Sequence, residues 1–257
     1  MINTKFSQIS RFLIAASALA VTHASAAELV TNGDFGSFGG APSNSANVPN
    51  GWFQTIAGLT VAQSALNSPF TGTFPNNSSS FSLVDEATEG TDGYRQVWPG
   101  APESLILVNF DFRLASLTNN VWGIQFDNNV NSAVHFRIDA VVGASNNQFA
   151  INNNGPLVAI TTLEANKWYN VQATLNDILG TVTGSITPEG GSAIAFPVTS
   201  MLTGHAGFTS ILVRDRSTGL NGALLIDNVS AASVPEPAVA WLFGLGIVAA
   251  FNRRQRR

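Results

Sequence analysis

Polar and apolar side chains alternate along three consecutive stretches in the middle of the chain. In residues 109–114 the even positions are apolar and the odd positions polar, and 121–127 and 133–142 repeat the pattern. Because successive side chains of a strand point to opposite faces, each stretch predicts a strand with one core side and one solvent side. Consecutive strands are commonly neighbours, so we expect the polar side chains to share one sheet face. These polar residues are Asn109, Asp111, Arg113, Gln125, Asp127, His135, Arg137 and Asp139.

Two interpretations of this polar face stay open. Carboxylate, guanidinium, amide and imidazole groups match the donors and acceptors of sugar hydroxyls, which predicts a glycan-binding face. The alternative is a solvated face on which Asp and Arg form cross-strand pairs worth about 0.2–1 kcal/mol each. A further strand places Trp168 on the same side as Asn170, Gln172 and Thr174. There the indole either stacks on a sugar ring or lies under a neighbouring loop.

Motifs for catalysis are absent from the sequence. It contains no cysteine, no G-x-S-x-G motif and no H-E-x-x-H motif. After residue 27 its two histidines are His135 and His205. Glycoside hydrolysis uses a pair of carboxylates, and the Glu-x-Asp-x-x-Glu of concanavalin A-like glucanases is missing. We therefore expect a non-catalytic protein. A glycoside hydrolase or polysaccharide lyase, and a purely structural matrix protein, are the alternatives.

Acidic residues are concentrated in the middle of the chain, and half of the basic residues lie near its ends. All 16 acidic residues but only six of the 12 basic ones lie between Glu28 and Glu236, so that segment carries a formal charge of −10. Nucleic-acid binding requires Lys and Arg to displace counterions from phosphates. The composition therefore excludes nucleic acid as a partner.

The segment 28–233 is predicted to be all-β. Runs of alternating or apolar residues are separated by Asn, Gly, Pro or Asp, and no stretch keeps the spacing of an amphipathic helix. About ten such runs follow residue 80, from 80–84 to 222–230. Regularly spaced strands without intervening helices predict a single domain, an antiparallel two-sheet β-sandwich.

Both ends of the chain differ from this segment. Lys5 and Arg11 precede the apolar stretch 12–21, and Ala24-Ser25-Ala26 offers small residues for cleavage. This order predicts a secretory signal peptide over 1–27 that engages the Sec export machinery. At the other end, residues 238–251 form an apolar run that predicts a membrane helix, although 14 residues span only about 21 Å. The residues that flank this run on its two sides are Val234, Pro235, Glu236, Pro237, Arg253, Arg254, Arg256 and Arg257.

Residues 234–257 resemble the PEP-CTERM sorting signal of Gram-negative exported proteins, because Val-Pro-Glu-Pro, a short apolar helix and an Arg cluster follow in order. The resemblance implies processing by an exosortase, a membrane protease that acts near the Pro-Glu-Pro. It implies export, transient anchoring in the inner membrane and delivery to the cell surface or extracellular matrix. The family's association with exopolysaccharide makes extracellular polysaccharide the expected partner of the body.

The body has weaker resemblances of its own. Residues 167–186 resemble a strand pair of laminin-G and concanavalin A-like jelly rolls, and residues 32–35 and 225–229 resemble galactose-binding-like carbohydrate modules. Both groups are antiparallel jelly rolls that often bind sugars. If the second resemblance holds, Asp34 and Asp227 approach one another where the first and last strands pair. Such hard oxygen ligands would hold a structural calcium ion.

Overall fold

The computed structural model describes residues 26–35, 51–55, 59–70, 80–85, 93–100, 102–117, 120–128, 136–140, 147–152, 157–201, 207–216 and 223–234. Every regular element in these ranges is a β-strand. The strands are β1 (Phe53–Gln54), β2 (Leu59–Ser64), β3 (Ser80–Asp85), β4 (Gly93–Val97), β5 (Leu105–Leu114), β6 (Asn120–Asp127), β7 (Phe136–Ala140), β8 (Gln148–Ile151), β9 (Val158–Thr162), β10 (Trp168–Asn176), β11 (Thr181–Pro188), β12 (Ile194–Ser200), β13 (Ser210–Asp215) and β14 (Leu224–Ser233).

The strands form two seven-stranded antiparallel sheets. The first sheet has the order β12-β11-β10-β5-β14-β3-β2, and the second has the order β1-β4-β13-β6-β7-β8-β9. The predicted antiparallel β-sandwich is therefore confirmed. Two strands, β9 and β12, were not predicted from the sequence. Both lie at sheet edges, and β12 contains Pro197, which suits an edge because proline donates no ladder hydrogen bond.

The core lies between the sheets and follows the predicted alternation. The even-numbered residues of β5, such as Phe110 and Phe112, are fully buried, as are Trp122 of β6 and Phe136 of β7. The ring of Phe112 stacks on two neighbours, with centroid distances of 5.8 Å to Phe149 and 5.3 Å to Tyr169. Each buried aromatic ring removes about 150–250 Å² from water, so these rings dominate the energetics of the core.

The expectation that the three alternating strands are neighbours is wrong. β5 lies between β10 and β14 in the first sheet, whereas β6 and β7 pair with one another in the second sheet. Alternation identifies the core side of a strand, but it is the same in both sheets of a sandwich. The predicted polar face is therefore divided between two opposite surfaces of the molecule.

Residues Glu28–Ser233 form one compact unit. Glu28 pairs with Ala232, and the Leu29 amide donates to the Ala231 carbonyl over 2.7 Å, so the unit begins and ends side by side. Most of the predicted signal peptide, and the sorting signal from Pro235 onward, lie outside the described residues. In the part of the chain that is described, no helix is long and apolar enough to cross a membrane.

Candidate functional site

An open groove of about 540 Å³ runs over the outer face of the first sheet. Strands β5, β10, β11 and β14 line it, mostly with amide and hydroxyl side chains. No ionisable side chain is among the lining residues, which are Leu107, Val108, Asn109, Gln172, Ala173, Thr174, Thr183, Gly184, Ser185, Ser230 and Ala232. We call this feature the polar groove.

Strand register explains how the polar groove is assembled. Gln172 of β10 lies between Asn109 of β5 and Ser185 of β11. Two residues further along β10, Thr174 faces Thr183. Because residues at i and i+2 share a face, these pairs form adjacent rows of hydrogen-bonding groups on the solvent side. The groove can therefore present many neutral donors and acceptors at once.

Five buried polar residues lie on the same face beside the groove: Ser68, Asp111, Asn170, Asp227 and Asn228, here called the aspartate cluster. Asp111 and Asp227 are directly opposite one another on β5 and β14. The Asp111 carboxylate accepts from Ser68 Oγ at 2.7 Å, Asn170 Nδ2 at 2.5 Å and Asn228 Nδ2 at 2.7 Å. Asp227 accepts the backbone N–H groups of Ser68 at 3.0 Å and Asn228 at 2.8 Å.

The backbone at Asn228 helps to close the aspartate cluster. The pairing of β14 with β5 shifts between Asp227 and Ser230, and Asn228 has a φ of 49°. Asparagine tolerates this left-handed conformation better than most residues, and a bulge redirects the side chains around it. The Asn228 amide thereby donates to Asp111 across the strand pair. A second amide, Asn170, donates to both Asp111 and Asn109 and so connects the cluster to the groove.

The electrostatics of the aspartate cluster are unusual because two carboxylates are buried together without a basic partner in the cluster. Burial is the main cause that raises the pKa of Asp227 to about 7; the nearby carboxylates of Asp111 and Asp34 add to the rise, and the backbone hydrogen bonds from Ser68 and Asn228 oppose it. Burial also raises the pKa of Asp111, against the lowering effect of its hydrogen bonds. Close carboxylates cannot both ionise at low cost, so this arrangement disfavours the doubly ionised form of the pair.

The outer face of the second sheet carries a different group, here called the arginine cluster: Arg95, Gln125, Asp127, Ser210 and Arg214. Arg95 Nη1 and Nη2 donate to the two Asp127 carboxylate oxygens at 3.1 and 3.3 Å, and this ion pair is buried. Gln125 Nε2 donates to Asp127 over 2.5 Å, and Ser210 Oγ donates to it as well. The Asp127 carboxylate is therefore fully hydrogen-bonded inside the protein.

Two atoms of the arginine cluster are buried without a hydrogen-bond partner among the described residues, namely Gln125 Oε1 and Arg214 Nε. Burial, reinforced by the positive charge of Arg216, lowers the pKa of Arg214 to about 10. Arg214 lies on β13 between Gly93 of β4 and Gly123 of β6. Its guanidinium thus has neighbouring positions without side chains on both adjacent strands.

The structure places the predicted site residues in several environments. Asp111, Gln125 and Asp127 are fully buried, which corrects the expectation that they face solvent. Trp168 is also buried, which disfavours stacking of its indole on a sugar ring. Arg113 is partly exposed and donates to Asn166 Oδ1 at 3.0 Å.

The remaining predicted positions lie on or before β7. The backbone of Arg137 and Asp139 pairs with Gly123 and Val121 of β6. His135 lies outside the described residues. No pattern in the sequence singled out Arg95, Ser210 or the groove residues of β11, although Thr183 and Ser185 continue the alternation seen on β10.

The predicted calcium site remains a prediction. Asp34 is close enough to Asp227 to raise its pKa, and the Val229 amide donates to the Gly33 carbonyl over 2.8 Å, so the first and last segments do meet. Among the described residues, however, no three His, Cys, Asp or Glu side chains are grouped closely enough to hold a metal ion. Calcium prefers six to eight oxygen ligands, which these two carboxylates alone would not supply.

Comparisons with known proteins identify one sequence feature and several similar structures. The PEP-CTERM protein-sorting motif matches residues 233–257, and no curated protein sequence is significantly similar to the chain. Solved structures that resemble it include a sialidase at 16% identity and a TM-score of 0.49, which covers 68% of this chain; the match spans only 17% of the sialidase chain. They also include the cellulose-induced protein Cip1 at 18% identity and TM-score 0.47, covering 75% of this chain and 97% of its own. A lectin, UEA-II complexed with galactose, matches at 8% identity and TM-score 0.42, covering 70% and 97%.

The sorting motif confirms the resemblance drawn from residues 234–257. It implies that the protein is exported, is anchored transiently in a membrane and is processed by an exosortase.

Proposed function

We propose that this PEP-CTERM protein is delivered through the inner membrane to the cell surface or extracellular matrix, where its β-sandwich binds glycan without catalysis. The observation that carries the proposal is the polar groove. Its volume of about 540 Å³ lies within the roughly 300–1,000 Å³ typical of small-molecule sites. Its Asn, Gln, Thr and Ser side chains can donate to and accept from sugar hydroxyls.

The absence of ionisable groups from the groove lining supports binding rather than hydrolysis. A glycosidase needs two carboxylates across the scissile bond, one of which donates a proton. Asp111, which Asn170 connects to the groove, and its neighbour Asp227 are both buried and hydrogen-bonded inside the protein. The extracellular polysaccharide expected as a partner would therefore contact the groove and not the buried aspartates.

The experiment is a glycan array probed with the purified chain, once with calcium and once with a chelator. We expect saturable binding that Gln172→Ala weakens, because Gln172 is an exposed residue at the middle of the groove. The matched control is Gln148→Ala, which makes the same change on β8 of the other sheet. Neither substitution removes a hydrogen bond of the core, so the melting temperature should stay unchanged.

Each alternative function gives a different result in this experiment. Equal loss of binding in both glutamine variants would contradict the groove as the site. Release of new reducing ends or unsaturated products would favour the glycoside hydrolase or lyase. Self-association without saturable binding to any glycan would favour a purely structural matrix protein.

A further inference from the structure

The turn between β10 and β11 presents two adjacent aliphatic side chains to solvent. Ile178 is 69% exposed and Leu179 is 70% exposed. Tight turns favour Gly, Asn, Asp, Pro and Ser, which satisfy backbone geometry at no hydrophobic cost. Single exposed apolar residues are common, but a pair at the tip of a turn contributes nothing to the core. We call this pair the apolar tip.

The turn that carries the apolar tip is fixed by hydrogen bonds. Asn176 Oδ1 accepts the Leu179 N–H at 2.9 Å, and the Gly180 N–H donates to the Asp177 carbonyl at 3.3 Å. The carboxylate of Asp177 accepts the Gly207 N–H at 2.8 Å. The one charged side chain of this turn is thus engaged by the protein, while the two aliphatic side chains point away from it.

The apolar tip lies at the end of the sandwich where the domain starts and stops. Ser233, the last residue of β14, pairs with Ile106 of β5, which in turn pairs with Leu175 near the end of β10. Two strand spacings separate these positions, roughly 10 Å in all. Glu28 joins the same end through its pairing with Ala232.

An apolar run follows Ser233 closely in the sequence. Four residues, 234–237, separate Ser233 from the apolar run 238–251, and four extended residues reach at most about 14 Å. We propose that the apolar tip inserts into the headgroup region of the membrane while the sorting segment anchors the chain. This proposal rests on the membrane anchoring in the proposed function but not on glycan binding. Two aliphatic side chains bind lipid weakly alone, and the covalent tether supplies the effective concentration that makes the contact persist.

The absence of cysteine from the chain permits a site-specific test. Leu179→Cys in the full chain is labelled with an environment-sensitive fluorophore and reconstituted into phosphatidylethanolamine–phosphatidylglycerol vesicles whose acyl chains carry a quencher. The control is Ala165→Cys, an exposed position in the turn that precedes β10, at the opposite end of that strand. We expect a blue shift and quenching at position 179 and neither at position 165. Adding Ile178→Asp should abolish both signals at 179.

The outcomes distinguish the proposal for the apolar tip from the anchoring of the chain by its sorting segment. If the chain floats with the vesicles but position 179 behaves like position 165, the tip proposal is overturned and the anchoring stands. If the chain does not float with the vesicles, both are overturned. Replacing phosphatidylglycerol with phosphatidylcholine should leave the signal unchanged, because the contact is apolar; loss of signal would instead point to recognition of the anionic headgroup and overturn the proposal.

Discussion

The two outer faces of the sandwich each bury carboxylates, and they stabilise them differently. On the first sheet, Asp111 and Asp227 face one another, and the hydrogen bonds they receive from described residues come from amide, hydroxyl and backbone donors. On the second sheet, Asp127 is paired with the guanidinium of Arg95 and receives further hydrogen bonds. In the aspartate cluster, negative charge can be neutralised by a proton. In the arginine cluster, the guanidinium of Arg95 neutralises it.

This difference has consequences for stability and for function. Two buried carboxylates with raised pKa values respond to pH, whereas a buried ion pair responds to the loss of either partner. The pH-responsive cluster also touches the polar groove, through the hydrogen bond from Asn170 to Asn109. The arginine cluster is separated from the groove by the whole thickness of the sandwich. We therefore expect substitutions in the arginine cluster to change stability without changing glycan binding.

The largest effect should come from breaking the buried ion pair. Arg95→Ala leaves the Asp127 carboxylate buried without its charged partner, which typically costs about 3–5 kcal/mol. Urea unfolding of the purified protein measures the change in the free energy of unfolding. The control is Arg113→Ala on the first sheet, where an exposed hydrogen bond to Asn166 is lost and less than about 1 kcal/mol is expected. Similar costs for the two variants would remove the proposed distinction between the clusters.

The next effect is a pH dependence that belongs to the aspartate cluster. The pKa of Asp227 is raised by burial from 3.8 to about 7, so the folded state binds a proton that the unfolded state releases. The stability that protonated Asp227 gives to the folded state is fully present below about pH 4 and is lost as the pH rises to about 7. At 1.36 kcal/mol per unit, the shift is worth up to about 4 kcal/mol. Thermal melts between pH 5 and 8 should show a melting temperature that falls as the pH rises.

Asp227→Asn is the control for this pH dependence. The amide cannot ionise, yet its oxygen can still accept one of the two backbone N–H groups that contact Asp227. The variant should therefore show a flatter melting profile and gain stability relative to the parent at pH 8. A profile as steep as that of the parent would assign the dependence to another group.

The sequence predicted which residues of both sheets are in the core, but not which strands belong to which sheet. Alternation correctly marked Phe110, Phe112 and Trp122 as buried, because period two is a local property of a strand. The burial of Asp111 is not local. Its covering partners Ser68 and Asn170 lie 43 and 59 residues away in sequence. No pattern within one strand could have predicted that a polar position facing away from the core is enclosed by distant segments.

The part of the polar groove formed by β10 and β11 could be predicted from the sequence. Gln172 and Thr174 were assigned to the solvent side of their strand, and the structure places them in the groove. Their partners Ser185 and Thr183 follow the short turn after Asn176, so hairpin register could have paired them from the sequence. On β5, alternation also places Asn109 on the solvent side, but the position of β5 and β14 beside β10 could not be predicted, because it depends on pairing between strands distant in sequence.

A smaller effect is expected from calcium, which would neutralise the aspartate cluster in place of a proton. If Asp34 and Asp227 take part in a calcium site, added calcium should raise the melting temperature at pH 8, where carboxylates ionise most readily. A concentration ten times the dissociation constant gives about 1.4 kcal/mol. A chelator should reverse the change, and Asp227→Asn should abolish it. Magnesium serves as the control ion, and an unchanged melting temperature at millimolar calcium would contradict the site.

The smallest effect should come from the second arginine of the arginine cluster. Arg214 lies beside the ion pair, but its buried Nε has no partner among the described residues, and burial lowers the pKa of its guanidinium to about 10. Replacing such a charge with an apolar side chain of similar length removes a desolvation cost as well as an attraction to Asp127. Arg214→Met should therefore change the free energy of unfolding by less than about 1 kcal/mol, in either direction. The matched control is Arg95→Met, the same substitution on the adjacent strand, which should cost several times more because it leaves Asp127 unpaired. Equal costs would mean that the cluster acts as one charge network and not as an ion pair with a neighbouring, weakly engaged arginine.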